Sequence, residues 1–181
     1  LIGLVIIMAM LIPAAPAAAA YSQYFPQTGY SVGGAFLTFW RTQGGLDIFG
    51  YPISGEFWQN GVTVQYFQRA RFEYRPYNAP AYRVQLGLLG QELYGQGQPR
   101  VGNWCSSNTP NCRYFGETGH VVSGSFLTFW QTRGGLSNFG YPISEAFYEG
   151  GRTVQWFQRA KMEWWPENSY AYKVQLSLLG T

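Results

Sequence analysis

The stretch from Tyr24 to Gly90 aligns without gaps on Tyr114 to Gly180 at a constant offset of 90, with 41 of the 67 paired positions identical. Self-similarity on that scale constrains a fold before any local signal does, because both copies must accept the same elements and buried positions. Phe36-Leu37-Thr38-Phe39-Trp40 recurs as Phe126-Leu127-Thr128-Phe129-Trp130, and Phe49-Gly50-Tyr51-Pro52-Ile53-Ser54 as Phe139-Gly140-Tyr141-Pro142-Ile143-Ser144. A third block, Phe67-Gln68-Arg69-Ala70, returns as Phe157-Gln158-Arg159-Ala160. Such identity within one chain records duplication and does not by itself single out functional residues.

What lies outside the copies divides into two segments. Leu1 to Ile12 is an almost unbroken apolar run, closed by Pro13 and followed by alanines ending at Ala20. This is the apolar stretch and small-residue cleavage zone of a secretory signal peptide, with the cut expected after Ala20. An uncleaved anchor helix is the competing reading, but a span takes about 20 apolar residues and the run is shorter. The chain is therefore expected at the cell surface or outside the cell, with no stable membrane span after cleavage. Residues 91–113 join the copies and carry Gly95, Gly97, Pro99, Gly102 and Pro110, the composition of a linker. The two cysteines, Cys105 and Cys112, both fall there and are expected to close a short disulfide loop. The organisation read from the sequence is thus signal peptide 1–20, module 21–90, linker 91–113 and module 114–181.

Within a copy the pattern predicts an α+β unit: a helix, tight turns and a β-hairpin. Val32 to Thr42 sets Phe36, Leu37, Phe39 and Trp40 at helical spacing, and Gly44-Gly45 stops that helix. Asn60-Gly61 is a turn before the β-branched and aromatic run Val62 to Phe67. Arg71 to Tyr74 is the returning strand, reversed around Gln68-Arg69-Ala70 and ended by Pro76. Val84 to Leu89 fits either a strand or a helical turn. Phe36, Phe39, Phe49, Phe57 and Phe67 are expected in the core. A unit of about 67 residues buries limited surface, and aromatics worth about 150–250 Å² each explain how it could stand alone.

The inventory for catalysis is thin. One Asp (Asp47) and one His (His120) occur, and His120 pairs with Tyr30 in the other copy. A nucleophile–His–Asp site could exist at most once. Two cysteines and one histidine do not make a zinc set, so neither metal nor cofactor is expected. A glycosidase needs two carboxylates about 5–9.5 Å apart. Only Glu73 and Glu163 are acidic at equivalent positions, and pairing with nearby Arg69 or Arg71 is the simpler role. The formal charge of +3 is scattered without a basic run, which argues against nucleic acid.

Binding suits the residues better. The hairpin offers Tyr66, Gln68, Arg69, Glu73 and Tyr74 in one copy and Trp156, Gln158, Arg159, Glu163 and Trp164 in the other. Rings can pack on the C–H faces of sugars while amides and charges bond the hydroxyls. Strand alternation sets Tyr66 and Gln68 opposite Gln65 and Phe67.

From Gly50 to Gly90 the pattern resembles the LGFP repeat of actinobacterial envelope proteins. The matching elements are Phe49-Gly50-Tyr51-Pro52, Glu56, Gly61, Gln65-Tyr66-Phe67 and Phe72-Glu73-Tyr74-Arg75-Pro76. The second copy supplies Phe139-Gly140-Tyr141-Pro142, Glu145, Gly151, Gln155-Trp156-Phe157 and Met162-Glu163-Trp164-Trp165-Pro166. Phe replaces the leading Leu, and Arg69-Ala70 or Arg159-Ala160 replaces the usual Gly pair at the tip. The whole 67-residue unit is similar to repeated secreted modules of Chloroflexota proteins, which accompany hydrolase or wall-binding domains. What the resemblance implies is non-catalytic attachment to a cell-envelope glycan such as peptidoglycan. Packing against neighbouring protein subunits in a surface layer or filament is a second expectation, and an accessory part of a wall hydrolase a third.

Overall fold

A two-stranded hairpin opens each copy, an element the local periodicity does not announce. Strands β1 (Ser22–Phe25) and β2 (Tyr30–Gly33) pair antiparallel from Ser22↔Gly33 to Phe25↔Tyr30. The turn closes where Thr28 and Gly29 donate to the Phe25 carbonyl. The computed structural model describes residues 21–181, so the expected signal segment at 1–20 lies outside the described residues.

Helix α1 (Gly34–Thr42) follows, two residues shorter at its start than the predicted span, and sends Phe36 and Leu37 into the core. Gly44-Gly45 does more than stop it. Gly44, at φ +126, turns the chain straight into α2 (Gly45–Phe49), which buries Ile48 and Phe49. A Cβ on Gly44 would run into Ile48, so the turn requires glycine. Trp40 Nε1 donates to the Gly50 carbonyl at 3.1 Å and ties α1 to the end of α2.

Next come β3 (Phe57–Gln59), β4 (Val62–Tyr66), β5 (Arg71–Tyr74) and β6 (Val84–Leu86), an antiparallel sheet in the order β3-β4-β5-β6. Asn60 and Gly61 form the β3–β4 turn, both at positive φ, as that dipeptide favours. Val84 to Leu89 resolves as strand β6 followed by the start of a helix, α3 (Leu89–Tyr94).

Ninety residues on, the series returns. Strands β7 (Cys112–Phe115) and β8 (His120–Ser123) lead into α4 (Gly124–Thr132) and α5 (Gly135–Phe139). Then β9 (Phe147–Glu149), β10 (Arg152–Trp156), β11 (Lys161–Trp164) and β12 (Val174–Leu176) form a second sheet in the same order. The fold class is α+β.

The core is shared. One buried cluster draws Phe49, Phe67 and Phe72 from the first copy together with Phe139, Phe157 and Met162 from the second. Two bodies each closing a core of their own were expected from the sequence; instead each hairpin tip, Phe67–Ala70 or Phe157–Ala160, packs on the strand end of the other copy. Phe57 also departs from expectation. It points to the outer face of the sheet, 44% exposed, and stacks on Tyr66 at 6.0 Å between centroids.

The connector is partly structural. Helix α3 takes up its first residues, Tyr94 stacks on Trp156 at 4.9 Å, and Glu92 pairs with Arg71 at 2.7 Å. Cys105 and Cys112 form the expected disulfide, with their Cα atoms 5.7 Å apart. Among the described residues no helix is long and apolar enough to cross a membrane.

Candidate functional site

The hairpin residues expected to form one binding face are divided among three places. Gln65 and Gln155 are buried pegs. Their side-chain amides donate to Ser31 and Ser54 carbonyls in one copy, and to Val121 and Ser144 carbonyls in the other. Tyr66 and Trp156 therefore face the opposite, outer side of the sheets, but they are not bare. The Tyr66 hydroxyl donates to Gln59 and accepts from Arg71, with Phe57 on its ring. Trp156 is only 8% exposed, because Tyr94 lies over it.

Glu73 and Glu163 are occupied too. Glu73 accepts from Arg71 at 2.8 Å and Arg75 at 2.6 Å. Arg71 continues to Glu92, and hydrogen bonds to Glu92, Tyr66 and Glu73 hold its guanidinium firmly protonated, while those to Arg71 press the Glu92 carboxyl below its ordinary range. Glu163 accepts from Trp165 and the Ser177 hydroxyl, and lies 3.7 Å from Lys161. These carboxylates serve ion-pair and hydrogen-bond networks, the simpler of the two roles the sequence allowed.

Gln68 and Arg69, with Gln158 and Arg159, hold the molecule together. The Gln68 and Gln158 side chains accept from the Tyr51 and Tyr141 amides, each at 3.1 Å. Arg69 donates to the Leu46 carbonyl in its own copy and to the Leu176 carbonyl in the other. Arg159 bonds Leu136 and Leu86 in the same way. Burial lowers the pKa of both arginines. His120, 2% exposed, sits 3.2 Å from Glu145, whose carboxylate also takes the Val121 amide and the Trp104 ring N–H. That arrangement pins the connector to the second copy.

Tyr74 and Trp164 are half-buried, on the sheet face opposite Glu73 and Glu163. Each forms a wall of a groove. In the first copy Gly33, Ala35, Phe36, Glu56 and Tyr74 line a hollow of about 330 Å³. In the second, Ser123, Ser125, Phe126, Ala146 and Trp164 line one of about 230 Å³. Five of the six lining positions match at the 90-residue offset; Gly34 lines the first groove alone and Thr153 the second.

A row of rings extends each groove. Cross-strand register runs Trp58↔Thr63↔Tyr74↔Val84 in the first sheet. In the second, Tyr148↔Thr153 and Trp164↔Val174 lie at the matching positions. Trp58 is 72% exposed and Tyr148 74%. Lys173 Nζ stands 5.5 Å above the Trp164 ring, which separates this groove from a second hollow beside Thr128 and Tyr170. Flat apolar faces flanked by hydroxyls and a charge suit a ligand with C–H faces and polar edges. Sequence reasoning named Tyr74 and Trp164 but passed over Trp58 and Tyr148. Their signal was an aromatic at equivalent positions directly before the β-turns.

The chain matches no known protein family and no curated protein.

Proposed function

We propose that the chain is a secreted, non-catalytic tandem of two copies of one module that binds a cell-envelope polymer, peptidoglycan or another glycan. The chemistry of the Tyr74 and Trp164 grooves carries this reading. Each sets a flat ring beside a mostly exposed one, Trp58 or Tyr148, an arrangement suited to the C–H faces of a sugar. Two weak sites in one molecule gain avidity on a repeating polymer without new contacts. The test is retention of the protein on purified cell wall or insoluble glycan. Retention that soluble oligosaccharide competes away supports the reading, and passage through the matrix unretained defeats it.

Edge strands support a second reading. Trp58 and Tyr148 lie on β3 and β9, the outermost strands of their sheets, where an unpaired edge can accept a strand from another molecule. Large assemblies on size exclusion without ligand, together with no glycan retention, would favour subunit packing.

A further inference from the structure

The two grooves differ by one charge. Glu56 in the first stands where the second has Ala146, and Gly33 and Ala35 become Ser123 and Ser125. Glu56 has no ion-pair partner among the described residues, and residues 1–20 contain no Lys or Arg. The nearby start of α1, which no side chain caps, favours an anion. Burial still wins and holds the Glu56 carboxyl above its ordinary range. An unpaired carboxylate at the open rim of a groove walled by an aromatic ring is the environment an ammonium ion completes. The carboxylate neutralises the charge and accepts its N–H groups, and the ring face adds cation–π attraction.

We propose that Glu56, with Tyr74 in the same groove, is the acceptor for an ammonium group. Two sources offer that group. One is an amine-bearing sugar or peptide unit of a wall polymer, a case that rests on the glycan-binding reading and narrows its ligand. The other is the chain itself. Hydrolysis by signal peptidase would add water across the Ala20–Tyr21 peptide bond, leaving a carboxylate on Ala20 and an ammonium on Tyr21. Tyr21 is already at this corner. Its carbonyl accepts the Gly34 amide at 3.0 Å. That carbonyl lies 3.8 Å, and Glu56 Oε1 4.0 Å, from the point a Gly33 Cβ would occupy. In the second copy Asn111 takes the place of Tyr21, bonding Gly124 at 2.8 Å inside a continuous chain. No terminus can arise there, and no carboxylate is present.

The experiment follows the Glu56 carboxyl carbon by NMR titration in the full chain, where Ala20 blocks the Tyr21 nitrogen, and in the chain after signal-peptidase cleavage. Each is measured with and without D-glucosamine, with N-acetylglucosamine as the probe lacking an ammonium. A downward shift of the titration on cleavage alone supports the site and assigns it to the chain's own terminus. A downward shift with glucosamine but not N-acetylglucosamine supports the site and assigns it to a ligand. In that case Glu56→Gln weakens glucosamine binding about tenfold or more, the factor for one hydrogen bond to a charged group, and Ala146→Glu creates a second site. A Glu56 titration unmoved by either amine overturns the proposal. Retention on wall glycan without such a shift leaves the function standing and removes this site; a cleavage-induced shift without retention does the reverse.

Discussion

Arg159 Nε donates to the carbonyl of Leu86 at 3.2 Å, joining residues 73 apart in the chain. Arg69 makes the same bond to Leu176 at 3.3 Å. Beside them Gln91 donates to the Gln158 carbonyl and Gly180 to the Gln68 carbonyl, both at 3.0 Å. Each copy thus offers a hairpin tip and a strand end and receives the same two features from the other. This is the logic of a symmetric dimer written within one polypeptide. It also gives a reason for Arg-Ala at each tip: Arg reaches across, and Ala70 and Ala160 are small enough to be buried at the junction.

Arg69→Ala and Arg159→Ala are each expected to destabilise the fold by about 1.5–3 kcal/mol, the range for hydrogen bonds from a charged donor. Lysine should not restore the loss, because each guanidinium reaches two carbonyls and an ammonium cannot match that spread. Urea midpoints measure the effect. Unchanged midpoints in both variants would show that these bonds do not hold the copies together.

Gly90 and Gly180 lie under the opposing hairpin tips. A Cβ on Gly90 would collide with the Phe157 carbonyl oxygen, and one on Gly180 with that of Phe67. Both obstacles are backbone, so no side chain can swing aside. Alanine at either position should cost at least about 3 kcal/mol or prevent folding, at the severe end for single substitutions. Gly55→Ala is the control. Its Cβ would meet nothing within 4 Å and its φ is not in the left-handed region, so a gain of about 0.4–1 kcal/mol is expected. Equal thermal shifts in all three variants would contradict the close approach.

The sequence made some of this legible and hid the rest for identifiable reasons. Asn60-Gly61 and the run Val62 to Phe67 carry their structure locally, so the β4–β5 hairpin could be read directly. Cys105 and Cys112 had only one another to pair with. Trp156 reads as an outward residue by strand alternation, which is correct for the sheet, but Tyr94 from the connector covers it. Arg69 at a hairpin tip looks like a solvated turn residue because periodicity says nothing about a partner carbonyl more than a hundred residues away. The aromatic grooves were half visible. Tyr74 and Trp164 stood in the hairpin, while their neighbours Phe36 and Phe126 belong to helices that only tertiary packing brings alongside.

Two carboxylates should answer pH in opposite directions. Hydrogen bonding to Arg71 depresses the Glu92 pKa. Its contribution is therefore present above the ordinary carboxylate range and is lost as pH falls through the depressed value. Glu92→Gln should lower stability at neutral pH by about 0.5 kcal/mol, since Glu92 is half exposed, and the difference should vanish in acid. Burial raises the Glu56 pKa. The folded chain then holds that proton more tightly than the unfolded one, so ionisation costs stability as pH rises through the raised value. With no ammonium in place, Glu56→Gln should stabilise the neutral protein. Parallel pH–stability curves for the two variants would contradict both assignments.

Reducing Cys105–Cys112 releases a short loop next to the start of β7. The separation of 7 residues implies a loss of about 2 kcal/mol from loop-closure entropy. Trp104 adjoins the disulfide and donates to Glu145 at 2.9 Å, so its emission should change on reduction before global unfolding. A Cys105→Ala/Cys112→Ala variant with the urea midpoint of the parent would show that the connector is secured without the disulfide, through Trp104 on Glu145 and through Gln98, which donates its amide to the Ile143 carbonyl and accepts from the Glu145 amide.

Trp58 and Tyr148 separate binding from folding more cleanly than any residue within the core. Each is mostly exposed on a three-residue edge strand, so Trp58→Ala or Tyr148→Ala should change stability by no more than about 0.5 kcal/mol. Tyr74→Ala would be ambiguous by comparison, because that ring also packs against Phe36. If the grooves hold a repeating polymer together, either single variant reduces the chain to one working site. Loss of avidity should then weaken retention by about a hundredfold, the lower bound for linked sites, while binding of a short oligosaccharide to the intact groove is unchanged. The double variant should pass through the matrix unretained with its fold intact by circular dichroism. Retention that survives in the double variant would place the polymer elsewhere on the surface and remove the ring rows from the binding site.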